Sequence, residues 1–153
     1  MEGPIVVGID GSPSSRDALL WAIHEARCRG ASVTAVSAWM VPREAYWGAL
    51  IPSSLPADLE RAAAKVLATM VHELETEAQG VQVVPKVLEG EPAEVLIEKA
   101  KDAQMLVVGS RGLGGFRELL LGSVSQQCAH HATCPVVIIR HTTAEEAADH
   151  PGT

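Results

Sequence analysis

The sequence predicts an α/β fold: a doubly wound, five-stranded parallel sheet with helices on both faces. Three observations predict it. Short β-branched apolar runs bounded by turn residues recur five times along the chain. Runs with apolar residues at helical spacing stand between them. No internal repeat or second apolar nucleus breaks the alternation, which argues for a parallel sheet covered on both faces. Right-handed crossovers then leave few topologies, and 153 residues suffice for one compact domain.

The first run, Pro4–Asp10, is almost wholly apolar and ends in turn residues, as a strand buried on both faces does. Ser12 is placed to cap the following helix, with Pro13 at its first position. Leu19, Ile23 and Ala26 keep helical spacing, and Gly30 closes the helix. Val33–Ala38 is the second strand. The segment 40–56, with three prolines, Tyr46 and Trp47, is the longest irregular stretch and reads as a functional or mobile loop. Ala57–Gln79 is a long helix whose Leu59, Ala63, Val66, Leu67, Met70 and Leu74 share a face, and Gly80 ends it. Val81–Val87 is the third strand, Pro92–Ala103 a helix, and Met105–Val108 the fourth strand. A glycine-rich loop leads into a helix over roughly Gly122–His131, and Pro135–Ile139 is the fifth strand. The domain thus spans 1–140. The polar, acidic tail 141–153 is expected to be disordered.

Composition narrows the function classes. The net charge is -7, and no stretch concentrates Lys and Arg, so a nucleic-acid partner is not expected. Any phosphate site must be local and built largely from backbone N–H groups. Met1 is followed by Glu2, Gly3 and Pro4 with no basic stretch, so no secretory leader is expected. No apolar run approaches membrane-spanning length. Cys28, Cys128 and Cys134 form no disulfide framework, which fits a reducing, cytoplasmic setting.

Ligands of doubly wound sheets sit beyond the carboxyl ends of the strands, where strand order reverses. Two loops suit that place. One is Gly8-Ile9-Asp10-Gly11-Ser12. The other runs from Gly109 through Ser110, Arg111, Gly112, Leu113, Gly114 and Gly115 to Gly122, Ser123, Val124 and Ser125. Glycines permit positive φ and close backbone approach, and successive N–H groups form an anion nest. A helix opening at Gly122-Ser123 adds unpaired N–H groups and a favourable dipole. The hydroxyls of Ser123 and Ser125 are further candidate donors.

The spacing Gly-x2-Gly-x9-Gly-Ser, met by Gly109, Gly112, Gly122 and Ser123, resembles the ATP-binding signature of universal stress proteins. Val6–Ser12, Glu89–Pro92 and Cys134–Ile138 are also similar to that family, in the right order. The resemblance implies strand order 3-2-1-4-5, which sets the two loops side by side. It implies that Gly8 and Asp10 line the nucleoside end. Gly109–Gly115 would wrap the phosphates and ribose, and Ser123 with Val124 would complete the phosphate clamp. It further implies a homodimer through the fifth strand. Independently, an apolar edge such as Val136–Ile139 is a liability unless covered. ATP, cyclic AMP and other adenine nucleotides stay open. Mg²⁺ is implied only as carried by ATP, with Asp10 the one nearby carboxylate.

Other readings compete. Arg111 is equally suited to phosphate or solvent, Ser12 is a helix cap before it is a ligand, and Trp39 is a packing residue before it is a flank for a base. Adjacent His130 and His131 face different sides of a helix and make a poor metal site. The P-loop spacing and the dinucleotide Gly-x-Gly-x-x-Gly are missing. No catalytic residue is assigned and no base is evident for activating water. The reading is therefore a nucleotide-binding stress-response module with slow hydrolysis at most. A slow nucleotide hydrolase and a nucleotide-free dimeric scaffold are the alternatives.

Overall fold

The structure, a computed structural model, describes residues 2–47, 50–113 and 121–141. Among them, five strands alternate with four α-helices: β1 (Ile5–Gly8), α1 (Pro13–Arg29), β2 (Val33–Trp39), α2 (Leu55–Glu73), β3 (Val83–Glu89), α3 (Pro92–Lys99), β4 (Met105–Gly109), α4 (Ser123–His131) and β5 (Val136–Ile139). All pairings are parallel, in the order β3-β2-β1-β4-β5. The chain first winds outward through β2 and β3, then returns past β1 to β4. Strand order therefore reverses beside β1, and the loops after β1 and β4 become neighbours.

Alternation along the central strands separates two cores. Ile5 and Val7 of β1 and Val107 of β4 pack with Leu19, Ile23, Leu67 and Met70 under α1 and α2. Val6, Leu106 and Val108 point the other way and pack with Leu96, Ala100 and Cys128 under α3 and α4. The central strands are buried on both faces, which is why their sequences are continuous apolar runs. The edge strands β3 and β5 contain no fully buried residue.

The helix ends follow the local chemistry. Ser12 accepts from the Ser15 N–H at 3.1 Å as N-cap of α1, and Gly30 closes it at φ 66°. Two boundaries differ from expectation. The 40–56 loop holds a short 3₁₀ turn at Arg43–Tyr46, and α2 already begins at Leu55 with Pro56 in its first turn. At its other end α2 stops at Glu73, although Leu74 is buried and continues the apolar period. From Leu74 to Gly80 the chain forms turns, with i→i−3 bonds such as Glu75 N–H to His72 C=O and Gln79 N–H to Thr76 C=O. The Arg27 guanidinium donates to the carbonyls of Glu77 and Gln79, satisfying groups that a continued helix would have used itself.

Candidate functional site

A cavity of about 470 Å³ opens at the carboxyl ends of β1, β2 and β4. That volume lies within the about 300–1,000 Å³ common for ligand clefts. The loop after β1 supplies Gly8 and Asp10. The loop after β4 supplies Gly109, Arg111, Gly112 and Leu113, and the entry to α4 supplies Gly122, Ser123, Val124 and Ser125. Ten residues expected to form a site thus line one cavity. Ser110 does not line it: it is buried in the neck of the loop. Gly114 and Gly115 lie outside the described residues.

The glycines act differently from expectation. None of Gly109, Gly112 and Gly122 has positive φ; each is needed, if at all, for close approach. A Cβ on Gly112 would stand 2.7 Å from Asp10 Oδ2, so the two loops meet there. A Cβ on Gly8 would stand 2.8 Å from Leu96 Cδ1, a side chain of the cavity floor. At Gly122 no atom of the described residues comes nearer than 3.5 Å, so they leave room for a methyl group.

Hydrogen bonds fix both loops. Asp10 Oδ1 accepts from the Ser12 N–H at 2.9 Å, an Asx turn that carries β1 into α1. Ser12 Oγ also reaches the Arg111 carbonyl at 3.5 Å, a long contact between the loops. The root of the second loop is pinned where the Ser110 N–H donates to the Ile139 carbonyl of β5 at 2.8 Å. The loop closes where the Gly122 N–H donates to the Ser110 carbonyl at 2.7 Å. The buried Ser125 hydroxyl sits 3.1 Å from that same carbonyl and 2.9 Å from the Gly122 carbonyl. It was a candidate donor to a ligand; in this structure its proton is engaged by the loop.

Gly122 is the N-cap of α4 and offers no side-chain cap. Among the described residues the first-turn amides of Ser123, Val124 and Ser125 therefore lack a partner, at the end of a helix whose dipole favours an anion.

The opposite wall is apolar: Ile9 of the first loop, joined by Val36, Ala38, Pro92, Leu96 and Val108, which sequence reasoning does not single out. Their strand or helix periodicity is that of core residues. Only the register reveals their second role. β1 ends at Gly8 opposite Val36, and the Ile9 N–H donates to the Val36 carbonyl at 2.8 Å. Alternate residues of β2 turn their backbone toward β1, so Ala38 directs its N–H and C=O to a position that β1 has vacated. No backbone partner among the described residues meets them.

Trp39 is half-buried and does not line the cavity. His130 and His131 lie with ring centroids 6.2 Å apart, and among the described residues no group of three His, Cys, Asp or Glu side chains gathers as for a metal. No described helix is long and apolar enough to cross a membrane.

A family model described as "Universal stress protein family" matches residues 1–140. A universal stress protein of Mycolicibacterium smegmatis is 38% identical over 139 residues, covering 90% of this chain and 45% of that protein. The chain thus spans about half the length of the curated relatives it matches. A universal stress protein of Archaeoglobus fulgidus, solved in complex with dAMP, superposes with a TM-score of 0.66 at 26% identity, covering 90% of this chain and 98% of that one. Another universal stress protein, solved in complex with cAMP, superposes with a TM-score of 0.66 at 28% identity, covering 92% and 98%.

Proposed function

The chain belongs to the universal stress protein family, and on that premise we propose that it binds an adenine nucleotide, ATP foremost, as a stress-response module. The observation that carries this reading is the division of one cavity into two chemistries. Its apolar floor, with the backbone N–H and C=O of Ala38 at the rim, suits a purine: it offers a surface to stack on and one donor and acceptor for the base edge. The amides of Ser123 and Val124 at the head of α4, together with those of the glycine loop, suit phosphates. Gly8 and Asp10 belong to the nucleoside end, and Gly109 to Gly115 to the phosphates and ribose. The adenine-nucleotide complexes of two relatives above 25% identity support the same ligand class.

In this reading Asp10 Oδ2 is the carboxylate oxygen available to a Mg²⁺ carried with ATP, since Oδ1 accepts from Ser12. Nucleotide occupancy changes the glycine loop and, through it, contacts with partners. β5 is a half-buried apolar edge whose exposure a second copy would end, so the working unit is a homodimer through β5. Three free cysteines fit a cytoplasmic setting. The site is read as one of binding, with hydrolysis slow at most.

Mass spectrometry of small molecules released from the denatured, purified protein tests the reading, followed by calorimetry with ATP, AMP and cAMP. An adenine nucleotide released, or micromolar binding of one of the three, is expected. A protein that releases none and binds none at millimolar concentration would refute it.

A further inference from the structure

Ser125 stands in the first turn of α4 and is buried at 1% exposure. Its hydroxyl lies between two carbonyl oxygens, Ser110 at 3.1 Å and Gly122 at 2.9 Å. Each of these carbonyls already receives a backbone N–H: Gly122 donates to Ser110 at 2.7 Å, and Gln126 donates to Gly122 at 3.0 Å. A carbonyl oxygen has two lone pairs. Each oxygen can therefore accept its backbone N–H and still take the single Ser125 proton, which the two carbonyls share. These oxygens form the neck of the loop that the preceding reading assigns to phosphate.

We infer that Ser125 is a positioning residue for anion binding: by tying the neck between Ser110 and Gly122, it fixes where the amides at the head of α4 stand against the loop. The inference rests on the nucleotide reading. An anion nest works only while its N–H groups converge on the ligand. Removal of the Ser125 hydroxyl unties the head of α4 from the Ser110 carbonyl and loosens the Gly122 N–H bonded there. The cost falls on the charged end of the ligand. A purine nucleoside, which touches the apolar floor instead, is spared. Threonine in place of serine keeps the hydroxyl and its donor.

The test compares Ser125→Ala and Ser125→Thr with wild type, using ATP and adenosine as probes in calorimetry. It also follows hydrogen exchange of the Gly122 amide without ligand. Ser125→Ala is expected to weaken ATP about five- to tenfold, the worth of about one hydrogen bond, and adenosine less than twofold. Gly122 exchange should quicken in the same variant, and Ser125→Thr should restore both. Equal weakening of ATP and adenosine would mean that Ser125 only supports the fold, and overturns the inference. So would unchanged ATP affinity, or unchanged Gly122 exchange, in Ser125→Ala. Wild-type protein that binds neither probe overturns the nucleotide reading and this inference with it, whereas wild-type binding indifferent to Ser125→Ala overturns the inference alone.

Discussion

Ser14 in the first turn of α1 packs directly on the backbone of Gly109 at the end of β4: a Cβ on Gly109 would lie 2.3 Å from Ser14 Oγ and 2.8 Å from the Ser14 carbonyl carbon. The second contact is with backbone, so rotation of a side chain cannot relieve it. Ser14 Oγ in turn donates to the Ile139 carbonyl at 3.3 Å, the oxygen that also accepts from Ser110. Gly109 thus lets α1, β4 and β5 meet under the cavity. Gly109→Ala is expected to destabilise the fold by about 1–3 kcal/mol through overpacking. Urea unfolding of the ligand-free protein measures this, and a loss below about 0.5 kcal/mol would contradict it.

Gly122 behaves in the opposite way. Its φ of -73° and ψ of 167° suit any residue, and among the described residues a methyl group would meet only ordinary contacts at 3.5 Å or more. Gly122→Ala should keep stability within about 0.5 kcal/mol, yet reduce ATP affinity if phosphate approaches the head of α4. Gly112→Val should reduce it further, since the side chain enters between the loops and pushes on Asp10 Oδ2. If Gly112→Val binds ATP as tightly as wild type, the loop is not the phosphate site.

These two glycines also mark what the sequence made legible. All five strands, four helices and the caps at Ser12 and Gly30 could be read from period and capping chemistry, and the strand order from the family resemblance. So could both loops of the cavity. Spacing could not separate the glycine that serves packing, Gly109, from the one that leaves open space, Gly122, because the distinction depends on what α1 places against them. Nor could it find Val36, Ala38 or Leu96, whose apolar side chains repeat as core residues do while also flooring the cavity. Nor could spacing show that Ser110 is buried, or that Ser125 lines the cavity while its hydroxyl meets the carbonyls of the loop's neck. The end of α2 was missed because the apolar period runs on to Leu74 after the hydrogen-bond ladder has changed.

Asp10 holds the β1–α1 turn through Oδ1 and faces Gly112 with Oδ2. Asp10→Ala should cost about 0.5–1.5 kcal/mol from loss of the bond to the Ser12 N–H. Asp10→Asn, which retains an acceptor, should cost less. In calorimetry, both variants should bind ATP with less dependence on Mg²⁺ than wild type. An unchanged Mg²⁺ dependence would separate Asp10 from the metal.

Cys128 is wholly buried between α4 and the sheet, and its thiol is pushed up from 9.0 to about 11, chiefly by burial and then by the charge of nearby Cys134. The fold therefore favours the neutral thiol. Its contribution is full below about pH 9, where the unfolded thiol titrates, and is lost as pH rises through about 11. Unfolding free energies measured from pH 8 to 11 should show the advantage of wild type over Cys128→Ser narrowing across that window. At pH 8 an alkylating reagent should label exposed Cys28 first and Cys128 only on unfolding. Rapid labelling of Cys128 in the native protein would contradict its assignment to the core.

The central claim is that main-chain amides of an acidic protein hold a nucleotide's phosphates at the head of α4. An amide NMR titration with ATP, and with adenosine as the control, tests it most directly. ATP is expected to move the resonances of Gly112, Ser123 and Val124 saturably together with those of Ile9 and Ala38, and adenosine chiefly the latter two. Saturable ATP binding that leaves Ser123 and Val124 unmoved would contradict it.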